Sequence, residues 1–483
     1  MKTPHFHRPS HTKIVATLGP ASRNISTLCQ LLTAGVDVFR INAAHGNREQ
    51  FSETLALIRQ ASAEVGIPVG VLMDLGGPKI RLGTLLNDSL TLHAGDFIRF
   101  VPGTVSHTEN DLTCTYAPLI SELNVGDRVM LADGTVELSV CEKSPDCADW
   151  ARCKVVEGGT IRSRQGVNLP GVKLSIPAML DVDRENAAWA AKNEIDFLGL
   201  SFVRHAGEIE DLRNLIRENS GCCQIVAKIE KPEAVENLES IVAAADAIMV
   251  ARGDLGVETD IALVPMLQKE IIRVCHRYRK PVIVATQMLE SMTHNNFPTR
   301  AEVTDVANAI LDGADACMLS GETAVGDFPV TTVNMMHRIA LGTENAPRNQ
   351  ENLPPFESLV FATDPITAAA CRSACTLAKD VGAKCIIVVS HSGATAKSLS
   401  QNRPSVPILG LTHKNATLRR MCLYWGVIPV QVPEEISEPD TILDFLVAAM
   451  KKRDLLRPGD RLILLAGTKI TDQHNALLVH EIS

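Results

Sequence analysis

Two side chains in one apolar stretch carry the first chemical signal. In Gln224-Ile225-Val226-Ala227-Lys228-Ile229-Glu230-Lys231-Pro232, strand-forming residues surround Lys228 and, two places on, Glu230. Side chains two apart share one face of a strand. A cation and a carboxylate therefore stand together on an otherwise apolar surface. Pro232 ends the strand and suits the first turn of a following helix. Burying such a pair is costly unless something uses it. Alone, the pair reads equally as a structural ion pair or as part of a site. Its neighbours decide.

The pair belongs to a series of similar apolar runs. Thr12 to Gly19, Asp37 to Asn42, Val69 to Asp74, Ile195 to Phe202, the Lys228 stretch, Ala247 to Arg252, Pro281 to Thr286 and Ala316 to Ser320 are short, nearly continuous apolar runs. Amphipathic helices separate them; the first, Ser26 to Ala34, has Gly35 as its stop. Parallel strands buried on both faces read this way, and eight such βα units close into a TIM-type (β/α)8 barrel. Polar residues gather at the C-terminal ends of the runs: Arg40, Asn42, Asp74, Arg204, Lys228, Glu230, Asp254, Thr286 and Glu322. A barrel needs none of these for stability, and that rim is where barrel enzymes keep their chemistry.

The 483 residues exceed one ordinary domain. From about 82 to 170 the barrel pattern is interrupted by alternating strands and turns, with Asp133-Gly134 and Gly158-Gly159 as turn signals. This predicts a small β-barrel lid, inserted after the third strand and placed to close over the rim. Beyond 345 the pattern restarts as an open α/β domain with a mainly parallel sheet. The predicted division is 1–81 and 171–345 for the barrel, 82–170 for the lid and 346–483 for the last domain. In the last domain, Ser392-Gly393-Ala394-Thr395 opens a helix. That turn suits a phosphate, although it is also ordinary capping chemistry.

Composition excludes several classes. Hydrophobic residues make up 45% and charged residues 21%, the balance of a globular protein with a large core. A net charge of −9 without a Lys/Arg cluster gives no nucleic-acid footprint. No apolar run approaches the roughly 18 residues of a membrane span, and no signal peptide is legible, so a cytoplasmic location is expected. The 13 cysteines lack CxxC pairs and read as reduced packing thiols. Cys141, Cys147 and Cys153 recur evenly without making a convincing zinc set, and His5, His7 and His11 read as a loose leader. Neither a GxxxxGK[ST] loop nor a strand-GxGxxG-helix is present, so a bound nucleotide would depend on side chains and magnesium.

Several motifs together resemble one family. Thr12-Lys13-Ile14-Val15-Ala16-Thr17-Leu18-Gly19-Pro20-Ala21-Ser22, Arg40-Ile41-Asn42 with His45-Gly46, and Gly166-Val167-Asn168-Leu169-Pro170-Gly171 are similar to pyruvate kinase. So are Ala227-Lys228-Ile229-Glu230, Ala251-Arg252-Gly253-Asp254-Leu255-Gly256, Ala285-Thr286-Gln287-Met288-Leu289-Glu290-Ser291-Met292 and Pro298-Thr299-Arg300-Ala301-Glu302. The resemblance, of bacterial type, implies phosphoryl transfer from phosphoenolpyruvate to ADP, giving pyruvate and ATP in the last step of glycolysis. It places magnesium, with manganese as a substitute, on Glu230 and Asp254. Lys228 and Arg40 face the transferring phosphoryl group, while Thr286 and the Gly253-Asp254 backbone face the substrate carboxylate. Thr286 or water protonates the enolate. Asn42, His45 and Arg81 fall at the nucleotide, and so does His205, where many members have Lys. A loose phosphoryl transition state is stabilised mainly by positioning and positive charge, which suits these residue types.

The departures from the family pattern concern potassium. Members that need it use Asn, Ser and Asp side chains and a Thr carbonyl, with a Glu nearby. Here Asn42 and Asp74 remain, while Ala44, Leu75 and Lys79 replace the Ser, Thr and Glu. Losing an oxygen ligand weakens such a site, and an ammonium repels a second cation. The expectation is that Lys79 supplies the charge and potassium is not required. The family also commonly forms homotetramers regulated by sugar phosphates or AMP, and Ser390, Ser392, Gly393 and Thr395 occupy the matching loop. A carbon–carbon lyase with a Schiff-base lysine and an inactive regulatory paralogue are the competing classes.

Overall fold

The computed structural model describes residues 10–146, 149–346, 364–434, 439–466 and 476–483. His5, His7 and Cys147 lie outside them. Eight parallel strands, Lys13–Thr17, Val38–Asn42, Gly70–Asp74, Phe197–Leu200, Gln224–Ile229, Ala247–Ala251, Val282–Ala285 and Ala316–Leu319, close into a barrel. Each pairs with its sequence neighbours, and the last returns to the first through Lys13↔Ala316. The first helix is Ile25–Ala34, and Gly35 stops it at φ 114°, a conformation open to glycine.

Strand alternation divides the barrel into layers. Val15, Val38, Leu72, Phe197 and Val226 form an apolar lower interior. Two residues further along the same inward faces stand Thr17, Arg40, Asp74 and Lys228. Outward residues such as Ile14, Phe39, Val71 and Ile225 pack under the helices. The chain thus stacks a charged upper layer directly on an apolar one.

The barrel floor has its own repeat. Asp37, Asp196, Asp246 and Asp315 stand immediately before the second, fourth, sixth and eighth strands. Their carboxylates accept the backbone N–H of Ile14, Val71, Ile225 and Val282 at 2.8, 2.9, 2.9 and 2.8 Å. Each also meets a cation: Lys13 at 3.3 Å, Arg419 at 2.7 Å, Arg213 at 3.1 Å and Arg403 at 3.0 Å.

Two of those arginines come from the C-terminal domain. Its sheet contains parallel strands Cys385–Val389, Ile408–Thr412, Val427–Gln431 and Arg461–Ala466. It is edged by Ala476–Glu481, an antiparallel strand absent from the sequence reading. Tyr424, Leu423 and Cys422 of this domain join the lower barrel interior in one apolar cluster.

The insert follows the third barrel strand. Its strands make a six-stranded sheet running from Val167–Asn168 to Asp111–Leu112 and a separate pair, Gly159–Arg162 with Ser89–Leu92. The result is an open half-barrel around one core that includes Phe100, Leu131, Val140 and Val155. A short helix, Leu119–Glu122, also lies within it, too brief to show helical periodicity in the sequence.

Candidate active site

The charged upper layer is a continuous network. Arg40 places Nε and Nη2 each 2.7 Å from Asp74 Oδ2, and its Nη1 donates to Thr17 Oγ1 at 3.2 Å. Lys228 Nζ lies 2.6 Å from Glu230 Oε1 and 3.7 Å from Asp74 Oδ2, and donates to Ser201 Oγ at 2.8 Å. Ser201 passes the chain on to the Leu75 carbonyl at 2.8 Å. The Phe202 N–H donates to Glu230 Oε2 at 2.7 Å. Glycine at position 199 makes room for the carboxylate between the two cations, since a Cβ there would fall 1.8 Å from Asp74 Oδ1.

The electrostatics follow from this crowding. Burial opposes ionisation of Asp74, but Arg40 and Lys228 outweigh it and hold its carboxyl below the usual range. Burial also works against the Lys228 ammonium, yet Glu230 and Asp74 keep its pKa above the ordinary lysine value. For Glu230, burial and then Asp254 raise the pKa, with Lys228 working the other way. A lysine held this firmly protonated is a poor Schiff-base nucleophile, which removes support from the lyase reading.

The neighbouring strand ends complete the rim. Asp254 sits in the first turn of the helix Arg252–Glu258, just after the sixth strand. Thr286 and Gln287 follow the seventh strand at φ 69° and 53°, left-handed conformations strained for non-glycine residues. Arg252 holds this turn: its Nη1 pairs with Asp305 at 2.7 Å and its Nη2 donates to the Thr286 carbonyl at 2.7 Å. The Gly253 N–H donates to Thr286 Oγ1 at 2.8 Å, and that hydroxyl donates to the Ala285 carbonyl at 2.6 Å. A cleft opens between rim and lid, lined by Lys79, Asn168, Arg204, Lys231, Asp254 and Glu258 among others.

The donor set for a metal is sparse. Glu230 and Asp254 stand after adjacent strands, and no cluster of three or more His, Cys, Asp or Glu able to hold a metal occurs among the described residues. Two carboxylates fit a magnesium-like cation that completes its shell with water and substrate oxygens.

Comparison with known proteins agrees with this arrangement. Residues 9–333 match the family model "Pyruvate kinase, barrel domain", and 368–480 match "Pyruvate kinase, alpha/beta domain". Pyruvate kinase of Geobacillus stearothermophilus is 40% identical over 477 residues, covering 98% of this chain and 80% of the relative. The chain belongs to the pyruvate kinase family. Pyruvate kinase 2 of Synechocystis sp. is 41% identical over 464 residues, covering 95% and 77%. The crystal structure of a pyruvate kinase from Cryptosporidium parvum superposes with a TM-score of 0.91 at 34% identity, covering 98% of this chain and 96% of that one. The activity is phosphoryl transfer between phosphoenolpyruvate and ADP, as the last step of glycolysis, and the family uses a divalent metal.

Within this site the residues expected from the sequence fall into groups. Arg40, Asp74, Lys228 and Glu230 are in direct contact, and Thr286 meets Gly253. Asn42, His45, Arg81 and His205 stay apart from that network. Asn42 Oδ1 accepts the Ala44 N–H at 3.1 Å, and His45 is exposed. Arg81 donates to the Arg164 carbonyl at 3.2 Å, and His205 is 60% exposed beside Glu208. Lys79 is exposed at the cleft.

Two rim residues have structural work instead. Arg204 binds Glu208 and the carbonyls of Leu174 and Ile176. Buried Glu322 accepts the N–H of Leu289 and Ser320. In the distal loop, Ser390 Oγ accepts the Gly393 N–H at 3.1 Å and Ser392 Oγ the Ala394 N–H at 3.4 Å. Sequence reading missed Ser201, Arg252 and Asp305 as supports. Ser201 had a signal, since it lies two places beyond inward-facing Gly199.

Proposed function

We propose that Lys228 and Arg40 carry the transferring phosphoryl group and that Glu230 and Asp254 hold a magnesium ion beside it. The observation that supports this most is the Lys228 ammonium, 2.6 Å from Glu230 and 3.7 Å from Asp74, buried at the rim. It is kept protonated where negative charge is handed over. When bound, the cation supplies positive charge against phosphoryl oxygens, and manganese suits the same oxygen donors. Arg40, locked by Asp74 and Thr17, presents its guanidinium without having to reorganise. The substrate carboxylate sits at Gly253, Asp254 and Thr286, where it competes for the Gly253 N–H now given to Thr286. The Thr286 hydroxyl is then on the side from which the enolate is protonated, directly or through water.

Asn42, His45, Arg81 and His205 bind the nucleotide as the lid closes. Potassium is not required. Asp74 Oδ2 is engaged by Arg40 and Lys228, the Leu75 carbonyl by Ser201 and Asn42 Oδ1 by Ala44, while Lys79 brings an ammonium to the cleft. The domain limits are 1–81 with 171–345, 82–170 and 346–483. A cytoplasmic homotetramer is the expected assembly. A sugar phosphate or AMP at Ser390, Ser392, Gly393 and Thr395 is the regulatory reading, in competition with the capping bonds already made there. Among the described residues no helix is long and apolar enough to cross a membrane.

A lactate-dehydrogenase-coupled assay of the wild-type chain and Lys228→Ala tests the central assignment. Near-normal turnover in the variant overturns it.

A further inference from the structure

The lid returns to the barrel through Val167–Asn168, and there it touches a buried ion pair. Asn168 Nδ2 donates to Glu258 Oε1 at 2.9 Å. Lys231 Nζ approaches the same oxygen at 2.8 Å, with the Glu258 side chain only 1% exposed. The second carboxylate oxygen, Glu258 Oε2, is buried and has no hydrogen-bond partner among the described residues. One Glu258 oxygen thus joins a donor from the lid to a donor from the segment after Glu230.

The position of this cluster gives that link a consequence. Lys231 directly follows Glu230, and Glu258 lies one helical turn beyond Asp254 on Arg252–Glu258. The pair therefore ties together the two segments that carry the proposed metal carboxylates. Asn168, Lys231, Asp254 and Glu258 all line one cleft.

We propose that Asn168, Glu258 and Lys231 form a latch through which the lid's position sets the spacing of Glu230 and Asp254. Glu258 is the positioning residue. With Asn168 docked, the end of the Asp254 helix is held against the segment after Glu230. When the lid swings away, Asn168 leaves and that helix end loosens. The proposal rests on the assignment of Glu230 and Asp254 as metal ligands.

The test uses the full chain and four variants, the fourth being Asn168→Ala in the background of the second. Asn168→Ala cuts only the link to the lid. Lys231→Met combined with Glu258→Leu replaces the ion pair with apolar groups of similar size, which protects folding. Asp254→Ala is the control for the metal assignment. Hydrogen exchange of residues 252–258 and manganese affinity by electron paramagnetic resonance are measured, with the thermal midpoint as a check on general loosening. Asn168→Ala is expected to speed exchange in that helix at least threefold and weaken manganese binding three- to tenfold, at a nearly unchanged midpoint. In the apolar-pair background it is expected to add nothing. Unchanged exchange and affinity, or additive effects, overturn the latch while Asp254→Ala still loses the metal. If Asp254→Ala retains full manganese affinity, the metal assignment fails and the latch falls with it.

Discussion

Gly199 and Asp74 are built around each other. They pair across adjacent strands, and the missing side chain of one is the space filled by the carboxylate of the other, with a Cβ–Oδ1 separation of only 1.8 Å were a methyl present. Asp74 in turn holds Arg40 and contributes to the charge on Lys228.

Gly199→Ala should therefore act on catalysis through a residue it does not itself contribute. The methyl displaces Asp74, and overpacking of this kind costs about 1–3 kcal/mol of stability. Misplacing Arg40 and Lys228 should lower kcat on the order of 100-fold. Thermal unfolding and steady-state kinetics on one preparation check both. A fully active Gly199→Ala would show that the Asp74 position is not critical.

The pair Lys228 and Glu230 should fail in different ways. Lys228→Ala is expected to lose roughly a thousandfold or more in kcat, as removal of a charge aimed at the transition state does. Its magnesium and phosphoenolpyruvate affinities should stay within a few-fold. Glu230→Ala should lose magnesium affinity first. Calorimetric titration of the metal beside the kinetics distinguishes the two patterns.

Replacing potassium by tetramethylammonium should change turnover less than twofold. Lys79→Glu should then lower the rate in tetramethylammonium, with potassium restoring part of it. A many-fold loss in the unmodified protein without potassium would sink the Lys79 assignment.

Acid should weaken the barrel floor through buried His276, whose Nε2 lies 2.8 Å from the Gly313 carbonyl oxygen and 3.2 Å from Nη2 of Arg403, the partner of Asp315. Burial first, and then the Arg403 guanidinium, push the His276 pKa from 6.5 down to about 4. Between those values the unfolded chain binds a proton that the folded chain refuses. Stability is therefore kept above about pH 6.5 and falls as pH drops toward 4, by at most about 3 kcal/mol from this group. Denaturant midpoints at pH 7 and 5 for the wild type and His276→Gln should converge in the variant. Parallel curves would remove His276 as a cause.

The sequence revealed the barrel well because its signals are local: buried parallel strands write themselves as short apolar runs, and period 2 places Lys228 with Glu230. Less legible were side-chain contacts across neighbouring strands. Ser201 reaches Lys228, and Arg252 reaches the Thr286 turn, through the register of consecutive strands, which residue type alone does not give. Arg204 and Glu322 show the reverse case. Their place at the rim was correct, but hydrogen bonds to backbone carbonyls and N–H groups claim them, and those partners have no trace in residue type. The antiparallel edge Ala476–Glu481 carries exposed Leu478 and Val479 and lacks the buried pattern of its neighbours.

The barrel floor bears on how the chain is made. The first and last barrel strands pair through Ala316, so every strand of the ring has been synthesised before the C-terminal domain. At that moment Asp196 and Asp315 still lack Arg419 and Arg403, and the lower interior has no Tyr424 beneath it. During translation the catalytic half is thus an unsealed vessel, and the α/β domain that follows it is its stopper.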